Sequence, residues 1–537
     1  MKIIVKRALM AVSFLCLAVI ALGLASEIRE LWKDDGDHQI AISVVEEETQ
    51  EETGGSRTEA ESQADAGSQT KEEQSEETDE AAGGDEEDTS EAETARETAP
   101  VRRAGKSPGW QYQILPPTPL PPKEEPLPSV WLVSDLHYMS ASMTDYGTAF
   151  DKFVSRCDGK VVRYLPELLD TLLWEAAGEK PDALILTGDI TMDGERANHE
   201  ELAEKLAGLM EAGVQVLVIP GNHDINNPNS RVYFGDESRE TDRVSPQEYG
   251  DIYEAFGPSQ AVSRDESSFS YIYALRENIW LMLLDTARYD PVNLVDGAVR
   301  QETYGWMEEN LKAAAEQGIQ VIVLGHHNLL QESRMFTTMC VMENSGEVTE
   351  LLERYQVPLY ISGHLHLQRV KKHKKEPGAE GYGIYEIVSD AFSIPPCQYG
   401  VMSWLEGGTM DYRTRQADVS LWAGSTGVCD DNLLNFSDYQ KEYIHQLIKE
   451  QVKENTERLP EDIADSMARL YADLYADYCA GAEIHRWEAE QTQGFKNWER
   501  YLPESKELDE IRAMIGDSFE DSNQFIFSAE KSSDSCS

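Results

Sequence analysis

The stretch Ser129-Val-Trp-Leu-Val-Ser-Asp-Leu-His137 shows how this 537-residue chain is built. Val130–Val133 is a short apolar run, which predicts a buried strand. Two polar side chains, those of Asp135 and His137, follow directly where the predicted strand ends. Because open α/β sheets build their sites at the carboxyl ends of their strands, this arrangement indicates a functional site in an α/β protein.

The same design recurs along the chain, with short apolar runs separated by helical patterns. Six further runs predict strands: Ala183–Leu186, Val214–Ile219, Tyr271–Ala274, Ile279–Leu284, Val321–Leu324 and Leu359–Ile361. Apolar residues at helical spacing predict intervening helices: Val162–Ala177, Glu200–Met210, Glu302–Ala315 and Val348–Tyr355. Strands that alternate with helices indicate a layered α/β core, and short strands are predicted to follow from Ile384 to Ser420.

Composition divides the whole chain into five parts. We predict a signal peptide or membrane anchor at residues 1–25 and an acidic disordered spacer that ends in a proline-rich linker at 26–128. The α/β domain is expected at 129–432 and a helical C-terminal subdomain at 433–518, followed by a flexible tail at 519–537. Three helices are predicted in the subdomain, because apolar residues recur there at three- and four-residue intervals: Asp438–Glu454, Pro460–Cys479 and Ala482–Trp498.

The N-terminus predicts export. Lys2, Lys6 and Arg7 precede an apolar run at residues 8–25. Cationic residues stay on the cytoplasmic side, so the remainder of the chain is expected outside the cytoplasm. The run fits both a cleaved signal peptide and an anchor in the membrane. The protein is therefore expected to be secreted or anchored by residues 8–25, with no other membrane contact.

The charge balance limits the kinds of partner. The chain has 99 acidic and 47 basic residues, a formal net charge of −52. Binding to nucleic acid through a basic surface is therefore not expected, because phosphate contacts need Lys and Arg. Much of the acidity lies in residues 45–100, which contain almost no large apolar side chain and cannot form a packed core.

Five short polar motifs each follow one of the predicted strands. In sequence order they are Asp135-Leu136-His137, Gly188-Asp189, Gly221-Asn222-His223-Asp224, Gly325-His326-His327 and Gly363-His364-Leu365-His366. Each motif alone has an ordinary structural explanation, since Gly-Asp is common in turns and a lone histidine is usually not a ligand. Packing does not require five such turns after five strands, whereas a metal site does require ligands that converge from separate strands.

The residue types indicate the chemistry. Carboxylate and imidazole ligands without a thiolate suit two divalent metal ions such as Mn, Fe or Zn. One carboxylate can bridge two cations and hold them roughly 3.5–4 Å apart. A neutral amide ligand such as Asn lets a substrate phosphate compete for the same ion. Such a site can direct a metal-bound hydroxide at phosphorus while the cations neutralise the developing charge.

This order of motifs resembles the calcineurin-like metallophosphoesterase superfamily over about Ser129–Pro395, half of the chain. The resemblance implies a four-layer αββα sandwich, a dinuclear metal site and hydrolysis of phosphate esters. It also implies a ligand for each position: Asp135, His137 and His366 for the first metal, Asp189 as the bridge, and Asn222, His326 and His364 for the second.

The resemblance further implies the catalytic roles. His223 would protonate the leaving oxygen or stabilise the transition state, and Asp224 would orient the imidazole of His223. The adjacent His327 competes with His326 as a ligand, because the family often has a proline after the ligand whereas Asn328 follows this pair.

A looser resemblance concerns the substrate. The exported N-terminus, the helical C-terminal part and the long loop after Asp135-Leu136-His137 are similar to a bacterial cyclic-nucleotide phosphodiesterase-like branch. Tyr138 and Tyr146 of that loop could line the substrate mouth or belong to a mere rim. Hydrolysis of phosphodiesters, possibly cyclic nucleotides, is expected first. A phosphomonoesterase or nucleotidase on the same site, and a surface-binding module with a vestigial metal site, are the alternatives.

Overall fold

The computed structural model describes residues 126–374, 383–406 and 409–528, together with the backbone of residues 112–114. The predicted signal peptide or anchor at 1–25 and most of the predicted spacer at 26–128 lie outside the described residues. Within the described part, no helix is both long and apolar enough to cross a bilayer.

The strands alternate with helices as the sequence predicts. The strands are β1 Tyr112–Ile114, β2 Ser129–Val133, β3 Ala183–Thr187, β4 Gln215–Ile219, β5 Arg231–Phe234, β6 Glu237–Glu240, β7 Ser263–Arg264, β8 Tyr271–Arg276, β9 Ile279–Leu283, β10 Gln320–Leu324, β11 Leu359–Ser362, β12 Arg369–Lys372, β13 Tyr385–Val388, β14 Gln398–Leu405, β15 Thr409–Gln416 and β16 Gln524–Ser528. Each of the seven strands predicted before residue 384 is present.

The α-helices fall in two groups, one beside the sheets and one in the C-terminal part. The first group is α1 Thr148–Val154, α2 Leu165–Glu179, α3 Arg196–Glu211, α4 Pro246–Tyr253, α5 Gln301–Gln317 and α6 Ser345–Arg354. The second is α7 Val419–Thr426, α8 Asp431–Leu434, α9 Phe436–Gln451, α10 Lys453–Thr456, α11 Glu461–Cys479, α12 Arg486–Gln491, α13 Gln493–Tyr501 and α14 Lys506–Asp517. We call the second group the C-terminal helices.

Most strands of the described residues belong to two seven-stranded sheets. Sheet 1 has the order β1-β16-β15-β14-β2-β3-β4, and sheet 2 has the order β12-β13-β11-β10-β9-β8-β7. In sheet 1, β2, β3 and β4 are parallel neighbours. In sheet 2, β9, β10, β11 and β13 are parallel neighbours. Because parallel strands end at the same edge, the polar turns that follow them are collected at that edge.

Four layers enclose three apolar interiors. The two sheets pack face to face through inward side chains such as Leu132, Ile185, Leu281 and Leu324. Helices α2 and α3 cover the outer face of sheet 1, and α5 and α6 cover the outer face of sheet 2. The predicted αββα sandwich is therefore confirmed. It follows from strands with apolar residues on both faces, which need cover on both sides.

The C-terminal helices form a fourth apolar cluster. Buried side chains of α9, α11, α13 and α14 pack together with Leu365 and Leu367 of the loop after β11. Helices are present in all three predicted regions, but helical structure begins earlier, at Val419, and a further helix, α14, was not predicted. The helices thus lie against the loop that carries two of the predicted metal ligands.

Two predicted boundaries are wrong. The predicted flexible tail at 519–537 contains β16, which pairs with β15 and buries Phe525 and Phe527 between the sheets. Alternating phenylalanines are the period-two pattern of a half-buried strand. The predicted spacer at 26–128 contains β1, which pairs in parallel with β16. Sheet 1 therefore needs strands from outside the predicted domain at 129–432.

Candidate metal centre

The polar turns of the two sheets meet in two adjacent clusters. Ligand atoms of Asp135, His137, Asp189 and His366 all lie within 4.8 Å of one another. Ligand atoms of His326, His327 and His364 form a second group within the same limit. Asp189 joins the two groups, because its Oδ2 lies 3.2 Å from Nε2 of His326 and 4.0 Å from Nε2 of His137. The arrangement suits a bridging carboxylate.

Asp135 presents one oxygen to the first cluster and uses the other to hold the site together. Its Oδ2 accepts hydrogen bonds from the Ser134 hydroxyl at 2.6 Å and the His364 backbone N–H at 2.9 Å. Its Oδ1 is buried without a hydrogen-bond partner and lies 3.2 Å from Nε2 of His366. A buried carboxylate oxygen without a donor is costly, and a cation would satisfy it.

Two imidazoles of sheet 2 are fixed by backbone carbonyls. His326 Nδ1 donates to the Thr187 carbonyl oxygen at 2.9 Å, which leaves its buried Nε2 without a hydrogen-bond partner. His364 Nε2 donates to the Met339 carbonyl oxygen at 2.8 Å, which leaves Nδ1 as the free ring nitrogen. Metal-binding histidines are commonly oriented by such a bond from the other ring nitrogen. Both rings therefore have one lone pair available for a metal.

His327 has no such lone pair. Its Nε2 donates to the Val295 carbonyl oxygen at 3.0 Å, and its Nδ1 lies 2.8 Å from the Thr286 hydroxyl, which can donate to it. Burial and the neighbouring His364 and His326 hold the pKa of His327 well below its ordinary value, so the ring is neutral. These contacts favour His326 over His327 as the ligand, although both lie near His364.

Asn222 lies in the turn after β4 and presents a neutral oxygen. Its side-chain Oδ1 is buried without a hydrogen-bond partner. Its backbone carbonyl accepts from the Asn293 side chain at 2.7 Å, and the Ile225 carbonyl accepts from the same amide at 2.8 Å. Asn293 thus fixes the turn from the loop before α5. Sequence reasoning missed Asn293, since nothing in its surrounding residues marks it.

The structure corrects the expected partner of His223. His223 Nδ1 lies 2.9 Å from Oδ1 of Asp193 and 2.7 Å from the Met192 carbonyl oxygen, so this ring nitrogen donates. Asp224, predicted to orient the ring, instead accepts from the backbone N–H groups of Gly221 at 2.8 Å and Thr191 at 3.0 Å. An adjacent residue points away from the ring, whereas Asp193 reaches it from the turn after β3.

The ring of His223 faces the bridging carboxylate. Its Nε2 lies 4.0 Å from Oδ2 of Asp189, and its side chain is 20 % exposed, more than that of Asp189 at 2 %. The His223 backbone N–H also donates to Oδ1 of Asp189 at 2.8 Å. A donor nitrogen at the open side of a buried carboxylate can reach a group bound there.

Strained backbone supports the cluster. Five of the predicted ligands have positive φ angles between 46° and 67°: Asp135, His137, Asp189, His364 and His366. Such conformations cost about 1–3 kcal/mol each in non-glycine residues and concentrate at functional sites. Glycine allows the close approach, since a Cβ on Gly221 would lie 2.2 Å from Oδ1 of Asp189. The backbone is therefore held in strained conformations at the residues whose side chains form the cluster.

The electrostatics favour cations at the carboxylates and a proton on His223. Burial opposes ionisation of Asp189, but His326 and His223 outweigh it, so the pKa of Asp189 lies well below its ordinary value. The pKa of Asp135 is lowered in the same way, with burial opposed mainly by His366. For His223, burial is outweighed by Asp189 and Asp193, which raise its pKa to about 10.

The long loop that follows Asp135-Leu136-His137 lies beside the site, and only part of this loop is exposed. Tyr138 is fully buried and its hydroxyl donates to Glu201 at 2.5 Å, so it does not line a substrate mouth. Tyr146 is 39 % exposed and stands at the edge of the loop. Asp145 joins this loop to the β5–β6 hairpin by accepting from the Gly235 N–H at 2.9 Å. The two segments form one connected rim.

Two family models match parts of this chain. Residues 128–368 match the calcineurin-like phosphoesterase family, and residues 418–521 match the C-terminal domain of cyclic nucleotide phosphodiesterase. The second match spans all of the C-terminal helices, which begin at Val419. The first match contains every predicted metal ligand, from Asp135 to His366.

Two curated proteins are similar to parts of this chain. A probable cyclic nucleotide phosphodiesterase of Xenorhabdus bovienii is 23% identical over 198 residues, 36% of this chain. A cAMP/cGMP dual specificity phosphodiesterase of Mycobacterium tuberculosis is 25% identical over 250 residues, 45% of this chain. The matched part spans 64% of the length of each relative.

Solved structures with related architecture are more distant. A dimetal phosphatase from Danio rerio has a TM-score of 0.38 and 16% identity, covering 55% of this chain and 97% of its own. A purple acid phosphatase from yellow lupin has a TM-score of 0.35 and 14% identity, covering 56% of this chain and 53% of its own.

Proposed function

We propose that this chain is a metal-dependent hydrolase of phosphodiesters; its residues 128–368 match the calcineurin-like phosphoesterase family. Cyclic nucleotides are the substrate class we propose first. Support comes from the names of the two curated relatives, both cyclic nucleotide phosphodiesterases, and from the matched C-terminal domain.

The observation that carries the proposal is the set of unpartnered ligand atoms. Oδ1 of Asp135, Oδ1 of Asn222 and Nε2 of His326 are all buried without a hydrogen-bond partner. They come from turns that follow strands of both sheets, and Nε2 of His326 lies 3.2 Å from Oδ2 of Asp189. Buried polar atoms are normally satisfied, and three such exceptions in one place fit a bound cation.

We assign the ligands on this basis. A first divalent ion would be held by Asp135, His137 and His366, and a second by Asn222, His326 and His364, with Asp189 shared. The donor set of oxygen and imidazole nitrogen fits Mn, Fe or Zn. When bound, the two ions would supply Lewis-acid charge neutralisation at the phosphoryl oxygens and lower the pKa of water.

The chain's own residues contribute the proton and the orientation of the ester. Asp189 and Asp193 raise the pKa of His223, and its Nε2 lies 4.0 Å from Oδ2 of Asp189, so the protonated ring can donate to the leaving oxygen as the ester bond breaks. Asp193 holds the other ring nitrogen and keeps the ring in place. Asp224 supports the turn that carries both Asn222 and His223, through its bonds to backbone N–H groups.

We also propose that the protein acts outside the cytoplasm, secreted or anchored by residues 8–25. Only the sequence supports this, through the three cations and the apolar run at the N-terminus. Fractionation of cells that express the full chain, with detection of the C-terminal part, measures it. Recovery of the protein from the cytoplasmic fraction alone would contradict the proposal.

The activity is tested with a diester and a monoester compared side by side. The full chain, loaded in turn with Mn, Fe or Zn, is given 3′,5′-cyclic AMP, bis(p-nitrophenyl) phosphate and p-nitrophenyl phosphate. We expect turnover of both diesters that disappears in Asp189→Asn. Turnover of the monoester alone would make the protein a phosphomonoesterase or nucleotidase. Absence of turnover together with less than one equivalent of bound metal would indicate a binding module with a vestigial site.

A further inference from the structure

The C-terminal helices reach the candidate metal centre through the loop after β10. His364 is oriented by the carbonyl oxygen of Met339, which belongs to this loop. Met339 has a positive φ of 57°, so the backbone is turned sharply where it presents that carbonyl. The loop lies between β10 and α6 and is not part of either sheet, so something else must hold its shape.

Tyr478 of α11 is one of the residues that hold it, beside Glu386, which accepts from the backbone N–H groups of Leu329 and Leu330. The Tyr478 hydroxyl lies 2.5 Å from the Ser333 hydroxyl and 3.2 Å from Oδ2 of Asp517. Ser333 Oγ already accepts from the backbone N–H groups of Met335 and Phe336, each at 2.9 Å. The Ser333 hydroxyl can therefore donate to Tyr478, and Tyr478 can donate to Asp517.

The same helix also holds the strand segment that follows His366. The backbone N–H of Gln368 donates to the Cys479 carbonyl oxygen at 2.7 Å. The guanidinium of Arg369 lies over the ring of Tyr478 at 4.5 Å from its centroid. Tyr478 is thus in contact with both segments that fix the His364 ring, the one that carries the histidine and the one that carries its acceptor.

We propose that Tyr478 is a positioning residue for the second metal site. Its hydroxyl fixes Ser333, Ser333 fixes the turn to Phe336, and the same loop continues to Met339, whose carbonyl fixes the ring of His364. This gives the C-terminal helices a role in the centre itself. The proposal rests on the assignment of His364 as a metal ligand under the proposed function.

The test compares two tyrosines of one helix. Tyr478→Phe removes the hydroxyl that reaches the loop. Tyr471→Phe removes a hydroxyl that is equally buried but bonds to Glu510 of α14, away from the loop. The full-length protein is titrated with Co²⁺, and the affinity of each equivalent is followed by calorimetry and by the visible absorption of the bound ion.

We expect Tyr478→Phe to weaken one of the two Co²⁺ equivalents about 10-fold, the lower end of the loss seen when outer hydrogen bonds of a metal ligand are removed. The other equivalent and both equivalents in Tyr471→Phe should keep their affinities. The Co²⁺ spectrum of the weakened site should also change, because its imidazole ligand is no longer held at one angle.

A second variant removes the same bond from the loop side. Ser333→Ala should weaken the same Co²⁺ equivalent, and the double variant should cost no more than Tyr478→Phe alone, because residues that act through one bond are not additive. Unchanged Co²⁺ affinity in Tyr478→Phe, or an equal loss in Tyr471→Phe, would overturn the proposal. Two tight Co²⁺ equivalents without ester hydrolysis in the wild-type protein would overturn the proposed function and leave this proposal standing.

Discussion

The two sheets contribute different chemistry to one site. Sheet 1 supplies three proposed oxygen ligands, Asp135, Asp189 and Asn222, together with His137 and the proposed proton donor His223. Sheet 2 supplies only imidazoles, those of His326, His364 and His366. Carboxylate oxygens can neutralise the charge of two cations and bridge them. Neutral imidazoles complete the coordination without adding negative charge. Neither sheet alone offers a complete set for two ions.

The two sheets also hold their side chains differently. In sheet 1, backbone N–H groups bond the carboxylates directly, as the His223 N–H does at Oδ1 of Asp189. In sheet 2, the far ring nitrogens of His326 and His364 donate to carbonyl oxygens. One of those carbonyls, that of Thr187, belongs to β3 of sheet 1. The orientation of the His326 imidazole therefore depends on the packing of the two sheets against each other.

The largest effect is expected when a proposed imidazole ligand is removed from sheet 2. His326→Ala removes the imidazole nitrogen beside Asp189, so we expect loss of one metal equivalent and about a 10³-fold fall in kcat/KM, because a metal ion supplies several kcal/mol to such a transition state. Metal content after dialysis and kcat/KM for the diester measure it. His327→Ala is the matched control, since both of its ring nitrogens are engaged elsewhere. Metal loss in the control alone would reverse the assignment.

The second largest effect is expected when the proposed proton donor is removed from sheet 1. His223→Ala should keep both metals while lowering kcat about 10²-fold or more, the usual contribution of a general acid. The loss should be smaller for a p-nitrophenyl ester, whose leaving group needs no proton, than for an alkyl ester. His373→Ala, which removes an imidazole whose Nδ1 lies 2.8 Å from Oε1 of Glu353, serves as the control. Full activity in His223→Ala would disprove the assigned role.

The smallest effect concerns the charge beside that donor. Asp193→Asn should lower the pKa of His223, which Asp189 and Asp193 together raise to about 10 against the effect of burial. The protonated ring is the donor, so activity that depends on it is present below this pKa and lost above it. The basic limb of the kcat/KM profile should therefore move to lower pH, and at pH values above both pKa values the activity should fall about 10-fold for each pKa unit of the shift.

The same pKa shift contributes to the stability of the fold, and it can be measured directly by NMR. A histidine whose folded pKa is raised stabilises the fold fully below its unfolded value near 6.5, and this contribution is lost as pH rises through the folded value. Asp193→Asn should reduce that contribution, while Asp224→Asn, whose carboxylate bonds backbone N–H groups instead of the ring, should leave the His223 pKa in place. NMR titration of His223 in the metal-free protein distinguishes the two variants.

Much of the fold was accessible from local patterns. Apolar runs such as Val130–Val133 identified strands, because fully buried parallel strands need apolar residues on both faces. The regular spacing in Pro460–Cys479 identified a helix that is observed at Glu461–Cys479. Two strands at one side of sheet 1 were harder, since β1 and β16 pair with each other from opposite ends of the described chain. The apolar pattern of β16 indicates a buried strand only when the other strands of sheet 1 are known.

The amino-acid sequence by itself determined which residues could bind metal, since five polar motifs after five apolar strands have no other common explanation. Only the tertiary structure decided their partners. Asp193, and not the adjacent Asp224, contacts the ring of His223. The carbonyl oxygen of Met339, in a loop that contacts the C-terminal helices, orients the ring of His364. The physical reason is that a strand end fixes where a side chain begins, whereas the hydrogen bonds that aim it come from segments brought close only by folding.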